Sequence, residues 1–304
     1  MCGHRFEAAG GRSAGHLVRE AVARRKALTV LENCEVTSLN RAGNRLDSVT
    51  VRNRESDQVS RYRATRYVLA AGAIGSACIL MRSGFEHRQL GRNYMMHYSP
   101  LVVGIFATAT EADTRFVKQV GFGDFYFGTA DMPAKMGLVQ SLPAPGPLML
   151  KKAGMQRLPN LLLTQLRRRM LPFVGIVEDL PDPQNLVQLS ANGHIHLRHR
   201  FSDYDRRRGT AMSKAMCRLL RTAGAMYCVS RKLPSEEHVA HQCGTIRFGT
   251  DPEHAVVDRN GRMFEQEDLF VVDGSILPTS LGVGPSLTLM ANALRVADIL
   301  KAEF

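Results

Sequence analysis

Residues 241–300 read HQCGTIRFGTDPEHAVVDRNGRMFEQEDLFVVDGSILPTSLGVGPSLTLMANALRVADIL. A polar turn that contains His241 opens this stretch, and a short apolar strand that ends in Asp273 and Gly274 follows it. A Gly/Pro loop then leads into a closing helix near Pro285, because proline favours the first turn of a helix. This order suits an active site at the edge of a bound cofactor, since α/β layers bind ligands beyond the carboxyl ends of their strands.

His241 is the candidate catalytic base. Its position before Gly244 and Thr245 suits a strand-to-loop turn from which the imidazole points into a cavity. Imidazole titrates near neutral pH, so it can accept a hydroxyl proton while hydride leaves the neighbouring carbon. The alternative is that His241 is an ordinary histidine, one of ten in the chain, with its hydrogen bonds satisfied in a loop.

The strand and the helix of this stretch offer a second kind of chemistry. Asp273 can position polar groups of a ligand, and Gly274 removes steric bulk beside it. The helix start at Pro285 and Ser286 presents open backbone N–H groups and the positive end of the helix dipole, which stabilise negative charge. A plain strand, turn and helix N-terminus explain the same residues, so both interpretations stay open.

The first hundred residues alternate helices and strands. Residues 67–70 form a β-rich run that breaks at the small residues 71–73 and restarts as a helix over 75–82. Strand, tight turn and helix are typical of nucleotide-binding α/β layers, and Gly72 lets the backbone approach a ligand closely. The elements predicted upstream of this turn are a helix over 14–27 and strands over 28–40 and 48–53.

The middle of the chain differs from the first hundred residues in composition, with aromatic runs, prolines and sequence signals for hairpins. Its predicted elements are a strand that opens at residue 101, an alternating aromatic strand over 121–128, a Pro/Gly/Met-rich loop from 132 to about 159, strands with a hairpin at Asn192 and Gly193, and a helix over 203–230. We therefore predict an α/β (α+β) fold. An incomplete nucleotide-binding layer is formed by residues 1–100 and 241–304, and residues 101–240 insert a domain built on a mostly antiparallel sheet with helices.

The composition is that of a globular protein. The 304 residues are 44% hydrophobic and 22% charged, which allows a large core. No run of eighteen apolar residues predicts a membrane span, and the amino-terminal residues lack the apolar region of a secretory signal. The six cysteines are scattered, so we expect neither a disulfide framework nor a metal site, and a reducing, cytoplasmic location.

The net charge of +12 raises the possibility of nucleic-acid binding. Residues 241–304 carry five Lys/Arg against nine Asp/Glu, so the basic excess is absent from the segment richest in motifs. The basic triplets at 24–26, 167–169 and 206–208 are not interleaved with aromatic residues, so solvated helix faces explain them better than phosphate contacts. Residues 161–171 can form an amphipathic helix on an anionic surface or, in preference, a surface helix or lid over a pocket.

Taken in order, these segments closely resemble the glucose–methanol–choline (GMC) family of flavoprotein oxidoreductases. NCEVTSL resembles the strand whose valine, here Val36, meets the adenine end of FAD, and TRYVLAAGAIGSACILMRSG resembles the family's second conserved block. LGRNYMMHYS resembles the stretch that returns across the flavin, and EDLPDPQN, with Glu178, the strand that borders the substrate pocket. The resemblance implies FAD as cofactor. It assigns cofactor contacts to Val36, Ala71, Gly72, Ala73, Asp273, Gly274, Gly284, Pro285 and Ser286.

The resemblance also implies a reaction, the oxidation of the CH–OH group of an alcohol. His241 would take the hydroxyl proton while hydride passes to the flavin N5, giving an aldehyde, ketone or lactone. The electron acceptor that reoxidises the flavin would be dioxygen, a quinone or a protein. His97 and Glu178 are further candidates for the substrate pocket.

Gly284 is a departure from the family pattern. The family's final loop carries Asn or His before the proline, and a glycine cannot hydrogen-bond a substrate oxygen through a side chain. We therefore expect either reduced activity or a second polar group from elsewhere, supplied by water or by His97, Glu178 or Asn292.

The second departure concerns the amino-terminal βαβ unit, whose GxGxxG turn receives the FAD pyrophosphate. We expect the chain to start downstream of this unit, with about half of the nucleotide-binding layer missing. Two alternatives follow: a truncated or non-catalytic relative, or one half of a split enzyme completed by a separate nucleotide-binding polypeptide. An exposed apolar sheet edge near residues 30–75 would favour the split enzyme. Three groups of glycines do not match the GxGxxG motif: Gly10-Gly11 with Gly15, Gly121 with Gly123, and Gly282 with Gly284.

Overall fold

The computed structural model describes residues 14–24, 27–114, 118–231 and 241–303. The predictions for Cys2, Gly10, Gly11 and residues 25–26 lie outside the described residues. The helices are α1 Ala14–Ala23, α2 Gly72–Arg82, α3 Pro147–Leu150, α4 Asn160–Arg168, α5 Asp203–Thr222 and α6 Ser286–Ala302, with a π turn Lys151–Met155 and a 3-10 turn Gly274–Ile276. The strands are β1 Cys34–Ala42, β2 Arg45–Asn53, β3 Val59–Tyr62, β4 Tyr67–Leu69, β5 Leu101–Ile105, β6 Gly121–Phe122, β7 Gly137–Ser141, β8 Met170–Val177, β9 Leu186–Leu189, β10 Ile195–Arg198, β11 Tyr227–Arg231, β12 Arg262–Met263 and β13 Gln266–Val271.

The early and late parts of the chain meet in one mixed sheet. Strand β13 lies between β12 and β4 and pairs with β4 in parallel, with Phe270 opposite Val68. Leu69 and Leu80 from the early part pack in one buried cluster with Val271 from the late part. The strand, turn and helix predicted around residue 72 are confirmed, and β1, β2 and β3 form an antiparallel meander beside them.

The middle of the chain forms a five-stranded sheet in the order β11-β5-β8-β7-β6, with antiparallel pairing throughout. Helix α5 packs on this sheet through Met212, Met216 and Leu220, which are almost fully buried. Gly209 allows the close approach, since a Cβ there would lie 2.0 Å from the Tyr98 ring. The predicted antiparallel sheet with helices is confirmed, and the domain boundaries stay a prediction.

Three predicted elements in the middle of the chain differ from the structure in their extent. The aromatic strand stops at Phe122, because Phe122 packs edge-on against Phe125 and the chain turns between them. The long loop contains β7, whose alternating side chains are buried against β8, and also α3. The last helix ends at Thr222, where Gly224 adopts φ +98° and releases the chain into β11.

Two predicted elements near the amino terminus are shorter than expected. Helix α1 ends at Ala23, and β1 begins at Cys34 because Asn33 takes a left-handed turn conformation with φ +55°. The hairpin at Asn192 and Gly193 is confirmed by the antiparallel pair β9 and β10.

The amphipathic stretch at 161–171 starts as a surface helix. In α4, Leu163 is buried whereas Leu161 and Leu162 are exposed. None of the helices in the described part of the chain is long and apolar enough to cross a bilayer.

Candidate active site

His241 is brought beside His97 by a backbone bridge. Cys243 and Met95 exchange two hydrogen bonds of 3.0 Å, which align residues 95–97 with residues 241–243. The rings of His97 and His241 then meet edge to face, with centroids 4.9 Å apart. Two predicted site residues are therefore in direct contact, and His97 is buried with 3% of its surface exposed.

Gly284 lies next to the imidazole of His241. A Cβ built on Gly284 would be 3.7 Å from Cε1 and 3.9 Å from Nε2 of His241, which is ordinary van der Waals contact. A side chain at position 284 would thus border the candidate base, and glycine leaves that space open. Pro285 and Ser286 follow at the start of α6, whose N-cap makes no side-chain hydrogen bond.

Asp273 ties the two parts of the mixed sheet together. Its Oδ2 accepts hydrogen bonds from the backbone N–H of Gly72 at 2.9 Å and from Ser76 Oγ at 2.5 Å. Its Oδ1 accepts from the backbone and side chain of Ser275. Both carboxylate oxygens are therefore engaged by protein groups, so in this structure Asp273 holds the turn at Gly72 in place.

Gly274 lets the last strand lie against the histidine segment. A Cβ on Gly274 would be 2.8 Å from the carbonyl oxygen of Gln242, closer than real contacts allow. Gly244 is more constrained, with φ +94° and a Cβ position 2.2 Å from the Asn93 carbonyl oxygen. The backbone around His241 is thus packed too tightly for side chains at these two positions.

Val36 and Ala71 line an open cleft of about 600 Å³. Gly75 forms part of its wall, and Arg54 and Arg82 also line it. Ala73, matched to the same cofactor contacts, does not line this cleft: it is buried, and its carbonyl oxygen accepts a 2.5 Å hydrogen bond from Thr245.

Glu178 lies next to the bridge between Tyr98 and Val177, whereas Asn292 lies on α6. The backbone of Glu178 bonds to Met136 and to Arg208, and its side chain is half-buried. The amide oxygen of Asn292 accepts two hydrogen bonds from Arg295 on the same helix. Both residues stay predictions for the second polar group of the site.

Arg208 corrects the interpretation of residues 206–208 as a solvated face. Its guanidinium is 1% exposed, pairs with the buried Asp205, and donates to the carbonyl oxygens of Lys135 and Glu178. It therefore joins α5 to the end of β8 beside the site. Charge density along the sequence could not reveal this, because the partners come from distant segments.

The sequence analysis missed a buried pair formed by Asp179 and His199. Asp179 Oδ2 lies 2.8 Å from His199 Nε2, and the two side chains are 1% and 5% exposed. The same oxygen accepts a 3.0 Å hydrogen bond from the backbone N–H of Met96. Burial raises the pKa of Asp179, and the hydrogen bond from His199 opposes that rise. Only the position of Asp179, directly after Glu178, gave a signal in the sequence.

Comparison with known proteins identifies the family. The amino-terminal and carboxy-terminal profiles of "GMC oxidoreductase" match residues 3–99 and 181–293. Paromamine 6'-oxidase of Streptomyces fradiae is 31% identical over 278 residues, which cover 84% of this chain and 49% of the relative. The chain thus spans about half the length of this curated relative.

Solved structures share the fold. Pyridoxine 4-oxidase from Mesorbium loti superposes with a TM-score of 0.69 at 23% identity, over 92% of this chain and 59% of that one. An FAD-dependent oxidoreductase from Chaetomium thermophilum gives a TM-score of 0.59 at 16% identity, over 93% of this chain and 63% of that one. Together with the two matching profiles, this confirms the resemblance seen in the sequence: the chain belongs to the GMC oxidoreductase family.

Proposed function

We propose that this chain contributes the catalytic part of an FAD-dependent oxidoreductase that oxidises the CH–OH group of a small-molecule alcohol. The observation that carries the proposal is the contact of His241 with His97 beside Gly284, whose missing side chain would border the imidazole. Family membership and the oxidase relatives support the same reaction class.

The residues present fit one side of an FAD molecule. The cleft at Val36 and Ala71 is open and flanked by arginines, which suits the nucleotide end of the cofactor. The long helix α6 directs its positive end toward the Gly284 loop, which suits an electron-rich ring system. FAD, when bound, supplies the acceptor for hydride.

His241 has the central role in this proposal. Its imidazole accepts the proton of the substrate hydroxyl and holds it while the carbinol carbon is oxidised to a carbonyl. His97 orients the ring of His241 through the edge-to-face contact, and the space at Gly284 admits the substrate oxygen or a water molecule.

The reaction is tested by screening primary and secondary alcohols, with excess FAD and a dye acceptor, on the chain mixed with the amino-terminal half of paromamine 6'-oxidase. We expect flavin reduction by at least one alcohol, and a loss of at least a hundredfold in kcat for His241→Ala, since a general base contributes about 10²- to 10⁴-fold. His254→Ala, an exposed loop histidine, is the matched control. Equal activity of the two variants would contradict the role of His241.

A specific feature favours the split-enzyme alternative, and we propose that a separate nucleotide-binding polypeptide completes this chain. Within the described residues, no strand pairs with the outer edge of β4, and Val68 on that strand is 52% exposed. On α6, Leu287, Met290 and Leu294 are spaced along one helix face and are 57–75% exposed. We call Val68 and these three side chains the outer face.

A chain of contacts links Val68 to the end of α6. Val68 pairs with Phe270, whose ring lies under the Arg262 guanidinium, and Arg262 forms an ion pair with Glu303 at the end of α6. Val68 therefore lies on the same side of the sheet as the end of α6. A β–α–β unit fits this surface, because its strand extends the parallel sheet at β4 and its helix packs on α6.

The partner is tested with the amino-terminal half of paromamine 6'-oxidase as the probe. We expect a one-to-one complex in size-exclusion chromatography with light scattering, abolished by Leu287→Glu combined with Leu294→Glu. Leu197→Glu, at a half-exposed position on β10, is the control and should leave binding intact. Self-association of the chain through the outer face, or equal binding by both variants, would contradict the proposal.

We also propose a reducing, cytoplasmic location. In the described part of the chain, five cysteines are free thiols, and Cys78 and Cys243 are buried. Mass spectrometry of the protein isolated under acid quench should find the described cysteines reduced, and a disulfide between any two would contradict this location.

A further inference from the structure

Asp179 is a junction between three segments of the candidate site. Its carboxylate binds the backbone N–H of Met96, the residue before His97, at 3.0 Å. Its backbone N–H donates to Ser280 Oγ at 2.6 Å, and its carbonyl oxygen accepts from Ser280 N–H, which anchors the loop that leads to Gly284. One buried residue thus contacts both segments that flank the space beside His241.

His199 keeps the carboxylate of Asp179 compensated. A buried carboxylate without a charged or strongly donating partner is costly, and His199 Nε2 supplies that partner at 2.8 Å. The His199 ring is held edge-on by Tyr94 and Phe201, with centroids 5.9 and 4.5 Å away. Its Nδ1 has no hydrogen-bond partner among the described residues, so Asp179 is the polar contact that sets the ring orientation.

We propose that Asp179 and His199 are positioning residues that hold His97 edge-on to His241 and fix the loop before Gly284. The pair acts through the backbone of Met96 and through Ser280, both of which Asp179 binds. Removal of the donor on His199 leaves Asp179 uncompensated, and the carboxylate then takes up a proton or moves toward another donor. Either change releases the backbone that carries His97.

The proposal needs no substrate for its main test. In ¹⁵N-histidine-labelled protein, long-range ¹H–¹⁵N spectra report the ring nitrogens of His97 and His241, assigned through His97→Gln and His241→Gln. We expect His199→Phe and Asp179→Asn to shift both sets of signals. His199→Gln, which retains a donor toward Asp179, should leave them close to those of the unsubstituted protein.

His254→Phe is the matched control, because His254 forms a comparable pair with Asp251 on an exposed loop. It should shift neither set of signals. Unchanged His97 and His241 signals in folded Asp179→Asn, or equal shifts in His254→Phe, would overturn the proposal. If His199→Phe does not fold, as judged by circular dichroism, Asp179→Asn alone decides it, since that change conserves the side-chain size.

The kinetic readout rests on the proposed function and is separate from the spectra. With an alcohol that is oxidised, Asp179→Asn should lower kcat on the order of tenfold to a hundredfold with a smaller change in KM, as expected for a misplaced catalytic group. An absence of alcohol oxidation by the unsubstituted chain in a flavin-loaded complex with the amino-terminal half of paromamine 6'-oxidase contradicts the proposed function, while the ring spectra still decide the role of the pair.

Discussion

The two sheets of the molecule bury their surfaces to different degrees. The five-stranded antiparallel sheet is covered by α5, and seven of the helix residues are buried, including the charged pair Asp205 and Arg208. In α6, which follows the mixed sheet in the chain, Val296 alone is buried among seventeen residues, all of them described. Helix α5 thus buries its apolar face within this chain, whereas α6 presents apolar side chains that a partner can cover.

The largest loss of stability should come from breaking the buried charged pair of Asp205 and Arg208 on α5. Arg208→Ala leaves Asp205 buried and uncompensated and frees the carbonyl oxygens of Lys135 and Glu178, so we expect a loss of about 3–5 kcal/mol in the free energy of unfolding. Arg218→Ala removes an exposed pair with Asp131 and should cost at most about 1 kcal/mol. Urea denaturation followed by circular dichroism measures both, and equal losses would mean that Arg208 is not isolated from water.

A pair of leucine substitutions compares the two helices directly. Leu220→Ala on α5 opens a cavity in the core, and we expect a loss of about 2–5 kcal/mol. Leu294→Ala on α6 removes a side chain that is 69% exposed, so the isolated chain should change by no more than about 0.5 kcal/mol. If Leu294→Ala costs as much as Leu220→Ala in the isolated chain, the outer face is already covered.

A substitution at Gly284, beside His241, should have a smaller effect, on catalysis rather than on stability. Gly284→Asn places a polar side chain against the imidazole, and its Cβ fits at ordinary contact distance. We expect a rise of about two- to tenfold in kcat/KM, the equivalent of one added hydrogen bond to the substrate oxygen. Gly284→Ala supplies the bulk without the polar group, and a similar rise in that variant would contradict the explanation.

The smallest expected effect is protection of the cleft at Val36 by bound cofactor. Cys34 also lines this cleft and is partly exposed, so bound FAD should slow its alkylation by iodoacetamide. Cys217 and Cys228 lie in the antiparallel half, far along the chain, and their reaction should not change on FAD addition. Peptide mass spectrometry resolves the sites, and an equal slowing at all three would point to a global effect rather than protection of the cleft.

Local chemistry explains which elements were predictable. The turn at Gly72, the strand before Asp273 and the helix after Pro285 each follow from residues that are adjacent in the sequence, and all three are present. Strand β7 was not predicted, because the glycines and prolines around it are typical of a loop and its alternation of buried and partly exposed residues is short. It forms through pairing with β8.

The candidate site was predictable only in part, for the same reason. His241, Gly284 and His97 could be named from the sequence, but their contact depends on the bridge between Met95 and Cys243. The pair of Asp179 and His199 could not be named, because it is recognised by burial and by a hydrogen bond across twenty residues. Both the contact of His97 with His241 and the pair of Asp179 with His199 depend on packing between distant segments, which a local residue pattern does not show.

The most direct test of the account is FAD retention by the two-part protein. The chain is mixed with the amino-terminal half of paromamine 6'-oxidase and excess FAD, desalted, and examined by its visible flavin spectrum, with the chain alone and the chain carrying Leu287→Glu and Leu294→Glu in parallel. We expect stoichiometric flavin in the complex, and little flavin on the chain alone or on the doubly substituted chain. Stoichiometric flavin on the chain alone would contradict the need for a partner, and a folded complex without flavin would contradict the proposal that this chain holds one side of the cofactor.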